Sequence, residues 1–356
     1  MTRQIGLIGP LPPPYGGMAN QAKQLHQLLQ QEAGIEVHFV QTNKPYSNQL
    51  VAKMQGVRAL WRLTAYIIEV FKLTAKVDVI HVLANSGWSW QLFAAPVIWV
   101  AYLRNTPVII NYRGGEAGTY FKKSIKYVAP SMNKASAIVV PSGYLQQVFT
   151  EFGFVTQVIP NIINLERFKK TQHKTVDVKN PHLIITRNLE AIYGIETAIN
   201  ALAIVCQTIP NIKLSIAGSG PQKGELQTLV RHLGLENNIH FTGKLQPDAV
   251  AALYQEADIM LNPTTVDNMP NSVLEAMASG VAIVTTNVGG IPYIVSDKKT
   301  ALLVDVNNAE QMAAAIISLI NDKQLYRTLI DNGTLEVQQY AWQHIKMQWL
   351  NLYRAL

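Results

Sequence analysis

The side chains best able to do chemistry are concentrated between positions 258 and 280, where the chain reads DIMLNPTTVDNMPNSVLEAMASG. An apolar run ends at Asn262-Pro263, a polar loop follows, and the pattern predicts a helix opening near Asn271-Ser272. Asp267 and Glu275 lie eight residues apart, the first on the loop and the second in the second turn of that helix. Backbone N–H groups at Asn271, Ser272 and Val273 stand at the positive helix end, where a diphosphate is favoured. Glu275 can accept two ribose hydroxyls there, and Asp267 can reach sugar hydroxyls ahead of the helix. The plainer readings are turn polarity for Asp267-Asn268 and a surface helix position for Glu275.

Three other places invite the same question. Pro12-Pro13-Pro14-Tyr15-Gly16-Gly17 follows the first apolar run and opens a helix, so it reads either as a phosphate-approach loop or as an ordinary strand–helix turn. It is not the dinucleotide fingerprint, because Gly9 is followed by proline. His81 ends a strand and reads as a buried, satisfied histidine or as a group facing the site; Asn85, Ser86 and Trp88 beyond it are candidates for an acceptor surface, and Trp88 and Trp90 equally for core. Arg113-Gly114-Gly115-Glu116 follows the fourth run. Its guanidinium can serve a phosphate or an acidic group on an acceptor, or it can cap a helix or pair with Glu116.

Short apolar runs separated by helical stretches must position these residues. In the first half they fall at 5–9, 37–41, 77–83, 108–112, 137–141 and 155–160, and in the second at 183–187, 213–217, 239–242, 258–262, 281–285 and 301–304. Near-continuous apolar strands alternating with helices imply parallel sheets covered on both faces. The expected fold class is therefore α/β, with two Rossmann-like, doubly wound domains facing across a cleft that holds the ligands. The expected boundaries are 1–163, a lysine-bearing linker at 164–181, a second domain at 182–335, and a last helix over 336–356 that carries Trp342 and Trp349 back to the first domain.

Composition narrows the classes. The chain has 356 residues, 48% hydrophobic and 15% charged, which excludes disordered, collagenous and coiled-coil proteins. One cysteine, Cys206, allows no internal disulfide, and no Cys/His spacing suits a metal, so a reducing compartment and no resident metal are expected. The charge of +7 suits a phosphate-bearing ligand or an anionic membrane; nucleic acid is not favoured, for want of aromatic–basic interleaving. The first apolar run is too short for a signal peptide and 92–103 is too short to span a bilayer, so a soluble cytoplasmic protein is expected. Over 50–77, Arg58, Arg62, Glu69, Lys72 and Lys76 share one strip of a helix whose remaining circumference is largely apolar, including Leu60, Trp61, Ile67, Ile68, Val70 and Phe71. That helix is either a membrane-surface element, extended by Lys122, Lys123 and Lys126, or a buried helix with a basic rim.

Taken in order, these segments resemble the family 4 retaining glycosyltransferases, of GT-B fold and Glu-x7-Glu signature. Val140-Pro141-Ser142 with 158–164 and Phe168 is similar to the family's crossover, Ala217-Gly218-Ser219-Gly220-Pro221 to its Gly-x-Gly-Pro turn, and 239–243 to the strand that ends at the base; Thr286-Asn287-Val288-Gly289-Gly290-Ile291-Pro292 completes the set. The resemblance implies that Glu275 binds the ribose, that Asp267 replaces the first glutamate at the donor sugar, and that Arg187 neutralises the leaving diphosphate. It implies donor contacts from Gly16, Gly17, Gly218, Gly243, Lys244 and Leu245, and from Asn268, Met269, Pro270, Asn271, Ser272 and Val273. His81, Arg113, Glu116 and Tyr193 remain candidates on the acceptor side or in support. Three positions depart from the pattern: Tyr193 replaces a lysine, Asp267 is a methylene short, and Arg113-Gly114 replaces His-Gly. The implied activity is retaining, metal-independent transfer from a nucleotide-sugar, UDP-linked by family habit, to a hydroxyl of a polysaccharide or lipid-linked glycan of the cell envelope. A nucleotide-sugar epimerase and a non-catalytic accessory subunit are the alternatives.

Overall fold

The computed structural model describes residues 2–13, 16–44, 57–170 and 175–356, with backbone alone for 57–60. The chain forms two compact units, Met1–Ile162 with Ile345–Leu356, and Ile163–His344.

The first unit begins with β1 (Arg3–Gly9), α1 (Gly17–Leu29), β2 (Ile35–Gln41), α2 (Val57–Thr74) and β3 (Val79–Ala84). A π-helical turn at Trp90–Ala94 runs into α3 (Ala95–Leu103), followed by β4 (Val108–Tyr112), α4 (Ala117–Met132), β5 (Ala137–Val140), α5 (Gly143–Glu151) and β6 (Gln157–Val158). All strand pairs are parallel, in the order β2-β1-β3-β4-β5-β6. Every residue of β3 and β4 is buried, as a sheet sandwiched between helix layers requires. The order reverses between β1 and β3, so the loops leaving those strands diverge there.

The second unit continues with β7 (His182–Ile185), α6 (Ile195–Cys206), β8 (Lys213–Ala217), α7 (Lys223–His232), β9 (Ile239–Gly243), α8 (Pro247–Glu256) and β10 (Ile259–Asn262). Then come α9 (Asn271–Ser279), β11 (Ala282–Thr286), β12 (Leu302–Val304), α10 (Ala309–Asn321) and α11 (Lys323–Glu336). This sheet is also parallel, ordered β12-β11-β10-β7-β8-β9, and its reversal lies between β7 and β10. Leu183 pairs with Ile259 and Ile184 with Met260, so the loops that leave β7 and β10 start side by side. The twelve strands found among the described residues fall at the twelve expected runs, with ends differing by a residue or two.

Two expected boundaries change. Residues 164–170 and 175–181 of the expected linker belong to the second unit, and 171–174 lie outside the described residues. Phe168 is buried, edge-on to Tyr254 with ring centroids 5.8 Å apart, and Val176 joins that unit's core. Lysine-rich composition suggested a linker, yet Phe168 and Val176 anchor the described residues on either side of 171–174. The last helix, α12 (Trp342–Ala355), belongs to the first unit from Ile345 onward, where Trp349 is buried.

The helix expected over 50–77 is described as α2 from Val57; residues 50–56 and the side chains of Arg58 and Leu60 lie outside the described residues. It is neither wholly buried nor wholly exposed. Tyr66, Val70 and Leu73 enter the core, whereas Trp61, Ile68 and Phe71 are 59%, 55% and 52% exposed. Neighbouring α3 exposes Trp99, Tyr102 and Leu103. Arg104 lies over Phe71 at 4.9 Å and Lys134 over Tyr102 at 4.3 Å, so basic groups border the aromatic face.

Candidate functional site

Backbone-to-backbone packing of loops builds the site of the second unit, and glycine makes that packing possible. Gly218, just past β8, faces the carbonyl oxygen of Arg187, and Gly220 faces that of Leu189; a Cβ at either position would strike it. Gly194, at φ +58°, abuts the Pro263 carbonyl in the same way. Gly289, at φ +56°, and Gly290 press on the carbonyls of Asp267 and Asn268, and the Gly290 N–H donates to the Asp267 oxygen at 3.0 Å. These contacts lock the loops after β7, β8, β10 and β11 together at the sheet's reversal point. Thr264 and Thr265 reinforce the joint by donating to the Ile192 carbonyl at 3.0 and 3.1 Å.

The three residues expected to carry the chemistry meet there. Arg187 donates through Nη2 to Asp267 Oδ2, and its Nη1 lies 3.5 Å from Ser272 Oγ. Its guanidinium sits 4.1 Å from the centroid of the Tyr193 ring. The tyrosine that replaces a lysine therefore fixes the remaining cation by stacking on it. The Arg187 Nε is buried without a hydrogen-bond partner, an arrangement that disfavours this guanidinium pose unless a further acceptor arrives. Asp267 also accepts from the Asn268 N–H at 2.9 Å. Burial pushes its carboxyl pKa up, against the pull of Arg187 and of that N–H.

Glu275 follows on α9, partly buried. Desolvation raises its pKa from 4.5 to about 7, opposed by the Tyr254 hydroxyl and by the charges of Arg187 and Arg167. Tyr254 has no sequence signal of its own. Its buried hydroxyl donates to the Ser272 carbonyl at 3.0 Å and meets Thr186 Oγ1 at 2.6 Å, tying α8 to the start of α9 and to β7.

The expected diphosphate seat is a helix end that Pro270 precedes without a side-chain cap. Asn268, Met269 and Ser272 are buried, and Val273 is wholly inside, so it can offer a ligand only its backbone. Gly243 is left-handed at φ +72° with open space where a Cβ would stand, and its carbonyl accepts from the Gly218 N–H at 2.9 Å. Lys244 is exposed and Leu245 half-buried beside it. A positive end near α9, a fixed guanidinium and two carboxylates can bind a diphosphate ester and hydrogen-bond polyols beside it.

The remaining candidates lie in the first unit. Gly16 precedes α1 in extended backbone and Gly17 opens it; Pro14 and Tyr15 lie outside the described residues. His81 is fully buried and satisfied, which settles its two readings against an acceptor role. Asn111 Nδ2 lies 2.9 Å from its Nε2, Tyr353 Oη lies 2.7 Å from its Nδ1, and Trp349 stacks on its ring at 4.6 Å. Burial and then the Arg113 charge pull its pKa down to about 3, so it is neutral. Arg113 forms no ion pair with Glu116, which is exposed. It donates instead through Nε to Asn111 Oδ1 at 3.1 Å and through Nη1 to Asn161 Oδ1. Asn161 lies 48 residues away, and no local pattern points to it.

A chain of two doubly wound parallel sheets, with Arg187, Asp267 and Glu275 gathered where one sheet reverses order, is a two-domain α/β protein whose candidate site lies at the carboxyl ends of its strands. A family model for Glycosyltransferase Family 4 matches residues 15–167, and one for Glycosyl transferases group 1 matches residues 166–336. The chain belongs to the family 4 glycosyltransferases. It is 29% identical over 162 residues to an uncharacterized glycosyltransferase of Methanocaldococcus jannaschii, covering 45% of this chain and 41% of that protein. It spans about half the length of the curated relatives it matches, or less. Sucrose-phosphate synthase from Thermosynechococcus elongatus shares the fold with a TM-score of 0.78 at 21% identity, over 99% of this chain and 98% of that one. Anabaena HepE in complex with UDP-glucose shares it with a TM-score of 0.75 at 20% identity, over 99% and 100%. The fold is GT-B.

Proposed function

We propose that the protein is a retaining glycosyltransferase that moves a sugar from a UDP-sugar to a hydroxyl of a cell-envelope polysaccharide or lipid-linked glycan. The observation that carries this reading is the trio Arg187, Asp267 and Glu275 at the start of α9. The α9 N-terminus and Arg187 receive the diphosphate, Glu275 the ribose hydroxyls and Asp267 the sugar hydroxyls. A diphosphate arriving beside Arg187 competes with Asp267 for the guanidinium, freeing the aspartate for the sugar. The C1–O bond to the diphosphate breaks as the acceptor oxygen bonds C1 on the same face, and the acceptor proton passes to the leaving diphosphate oxygen. Negative charge growing on that oxygen meets a cation already in place, the kind of preorganised stabilisation that accelerates such departures. On this reading Arg187 and the helix end supply the charge a metal would otherwise provide. UDP is favoured because HepE, with the same fold, is solved with UDP-glucose.

The first unit holds the acceptor. Its aromatic face on α2 and α3, bordered by Arg104 and Lys134, supports a peripheral seat on an anionic membrane on the cytoplasmic side. Among the described residues no helix is long and apolar enough to cross a membrane.

The test is mass spectrometry of the protein with UDP-, GDP- and ADP-sugars, with and without a cell-envelope extract. Acceptor-dependent nucleotide release from one donor, reduced at least 100-fold in Arg187→Ala, is expected. Release of an altered sugar without acceptor would indicate epimerisation, and no binding or release from any donor would leave an accessory subunit.

A further inference from the structure

Arg113 is a cation without an anion. The loop after β4 carries it half-buried at the carboxyl edge of the first sheet, beside the loop after β3. Both of its side-chain partners, Asn111 Oδ1 and Asn161 Oδ1, are neutral amide oxygens. They orient the guanidinium without neutralising it. His81, second in line behind Asn111, is neutral, and among the described residues no carboxylate lies within ion-pair distance of Arg113. Burial alone lowers its pKa, to about 10, with no acidic neighbour to raise it. A guanidinium has five N–H donors, and the two asparagines engage two of them.

The surroundings are shaped for a polar ring. A Cβ at Gly114 would meet Asn85 Oδ1 and Ser86 Oγ at 2.6 Å and Tyr112 Oη at 2.9 Å, so only a glycine lets the Arg113 loop lie against these oxygens. Ser86 Oγ and Tyr112 Oη share a hydrogen bond of 2.6 Å. Trp88, on the loop after β3, is 78% exposed and offers a flat apolar surface at the same sheet edge. A large aromatic face beside a few placed polar groups and one charge is how a protein binds a polar ligand of one sign.

We propose that Arg113 is a specificity-determining residue that binds the carboxylate of an acidic sugar. The proposal rests on the transferase reading only for which substrate brings that carboxylate, donor or acceptor. A carboxylate matches the planar fork of the unused N–H groups.

Calorimetric titration of the full chain tests it in two arms. In the acceptor arm trigalacturonate is compared with its methyl ester; in the donor arm UDP-glucuronate is compared with UDP-glucose. The expected result is at least tenfold tighter binding of the charged member in one arm, lost in Arg113→Gln and partly kept in Arg113→Lys, with UDP affinity unchanged in both variants. The arm that shows the preference names the source. Equal binding of charged and neutral members in both arms overturns the proposal, as does a preference that survives Arg113→Gln. Should Arg113→Gln not fold, the wild-type preference must still shrink between 0.05 and 0.5 M salt, and a salt-insensitive preference overturns the proposal equally. UDP binding by the wild type is read alongside: its absence counts against the transferase reading and leaves the acceptor arm to decide this one.

Discussion

Glu275 and Asp267 are two carboxylates of one site under different constraints, and their substitutions should separate. Burial holds the Glu275 proton up to about pH 7 in the folded protein, against 4.5 ordinarily. Between those values the unfolded chain is ionised and the folded protein is not, so stability falls as pH rises through that window and levels off above it. Glu275→Gln should flatten this slope in urea titrations run from pH 4 to pH 8. Ribose binding calls for the ionised acceptor, so UDP affinity should rise with pH through about 7 in the wild type and stay level in Glu275→Gln; a parallel rise in both would exclude Glu275 as the titrating group. Asp267→Asn should act otherwise. It releases the Arg187 guanidinium from its counterion, so UDP should bind a few-fold more tightly while turnover falls at least 100-fold, measured by calorimetry and nucleotide release. The two carboxylates were legible because their loop and helix are adjacent in sequence. The Tyr193 stack was not, since a tyrosine in place of a lysine reads as a loss until the ring is seen under Arg187.

At the scale of elements, the glycines are where fold and site become one problem. Gly218→Ala and Gly290→Ala each drive a methyl into a backbone carbonyl that no rotamer can move aside. Each should lower stability by about 1–3 kcal/mol and displace Arg187 or Asp267, so thermal melting and turnover should fall together. Gly16 meets nothing within 4 Å where its Cβ would stand and has an extended φ of −168°. Gly16→Ala should melt with the wild type, and any loss of turnover in it then reports a ligand contact. The strands were readable because a parallel sheet buried on both faces leaves an unbroken apolar run. What helices expose was not readable from periodicity, because α2 is apolar nearly all round and its neighbours decide which part is covered. Tyr66 and Val70 went inward while Trp61 and Phe71 stayed out. Likewise Phe168 anchors a segment whose lysines suggested a tether.

For the molecule as a whole, a formal charge of +7 and an aromatic face bordered by cations make one prediction about location. The protein should co-sediment with vesicles containing anionic lipid and much less with neutral ones, and binding should weaken as salt is raised. Trp61→Ser with Phe71→Ser should reduce that binding at least tenfold while UDP affinity holds, and equal binding of the double variant would rule out the face. The Arg113–Asn111–His81–Tyr353 chain joins residues up to 272 positions apart, which is why no local pattern announced it.

That chain also bears on synthesis. Trp349 and Tyr353, which cover His81, are translated after the whole of the second unit, although the strands they complete precede it. A nascent first unit therefore emerges from the ribosome with an open aromatic slot and keeps it open while the 182 residues of Ile163–His344 are made. A message cut short before Ile345 would yield a protein with Arg187, Asp267 and Glu275 in place and an unsealed hydrophobic groove, the form that chaperones and proteases recognise.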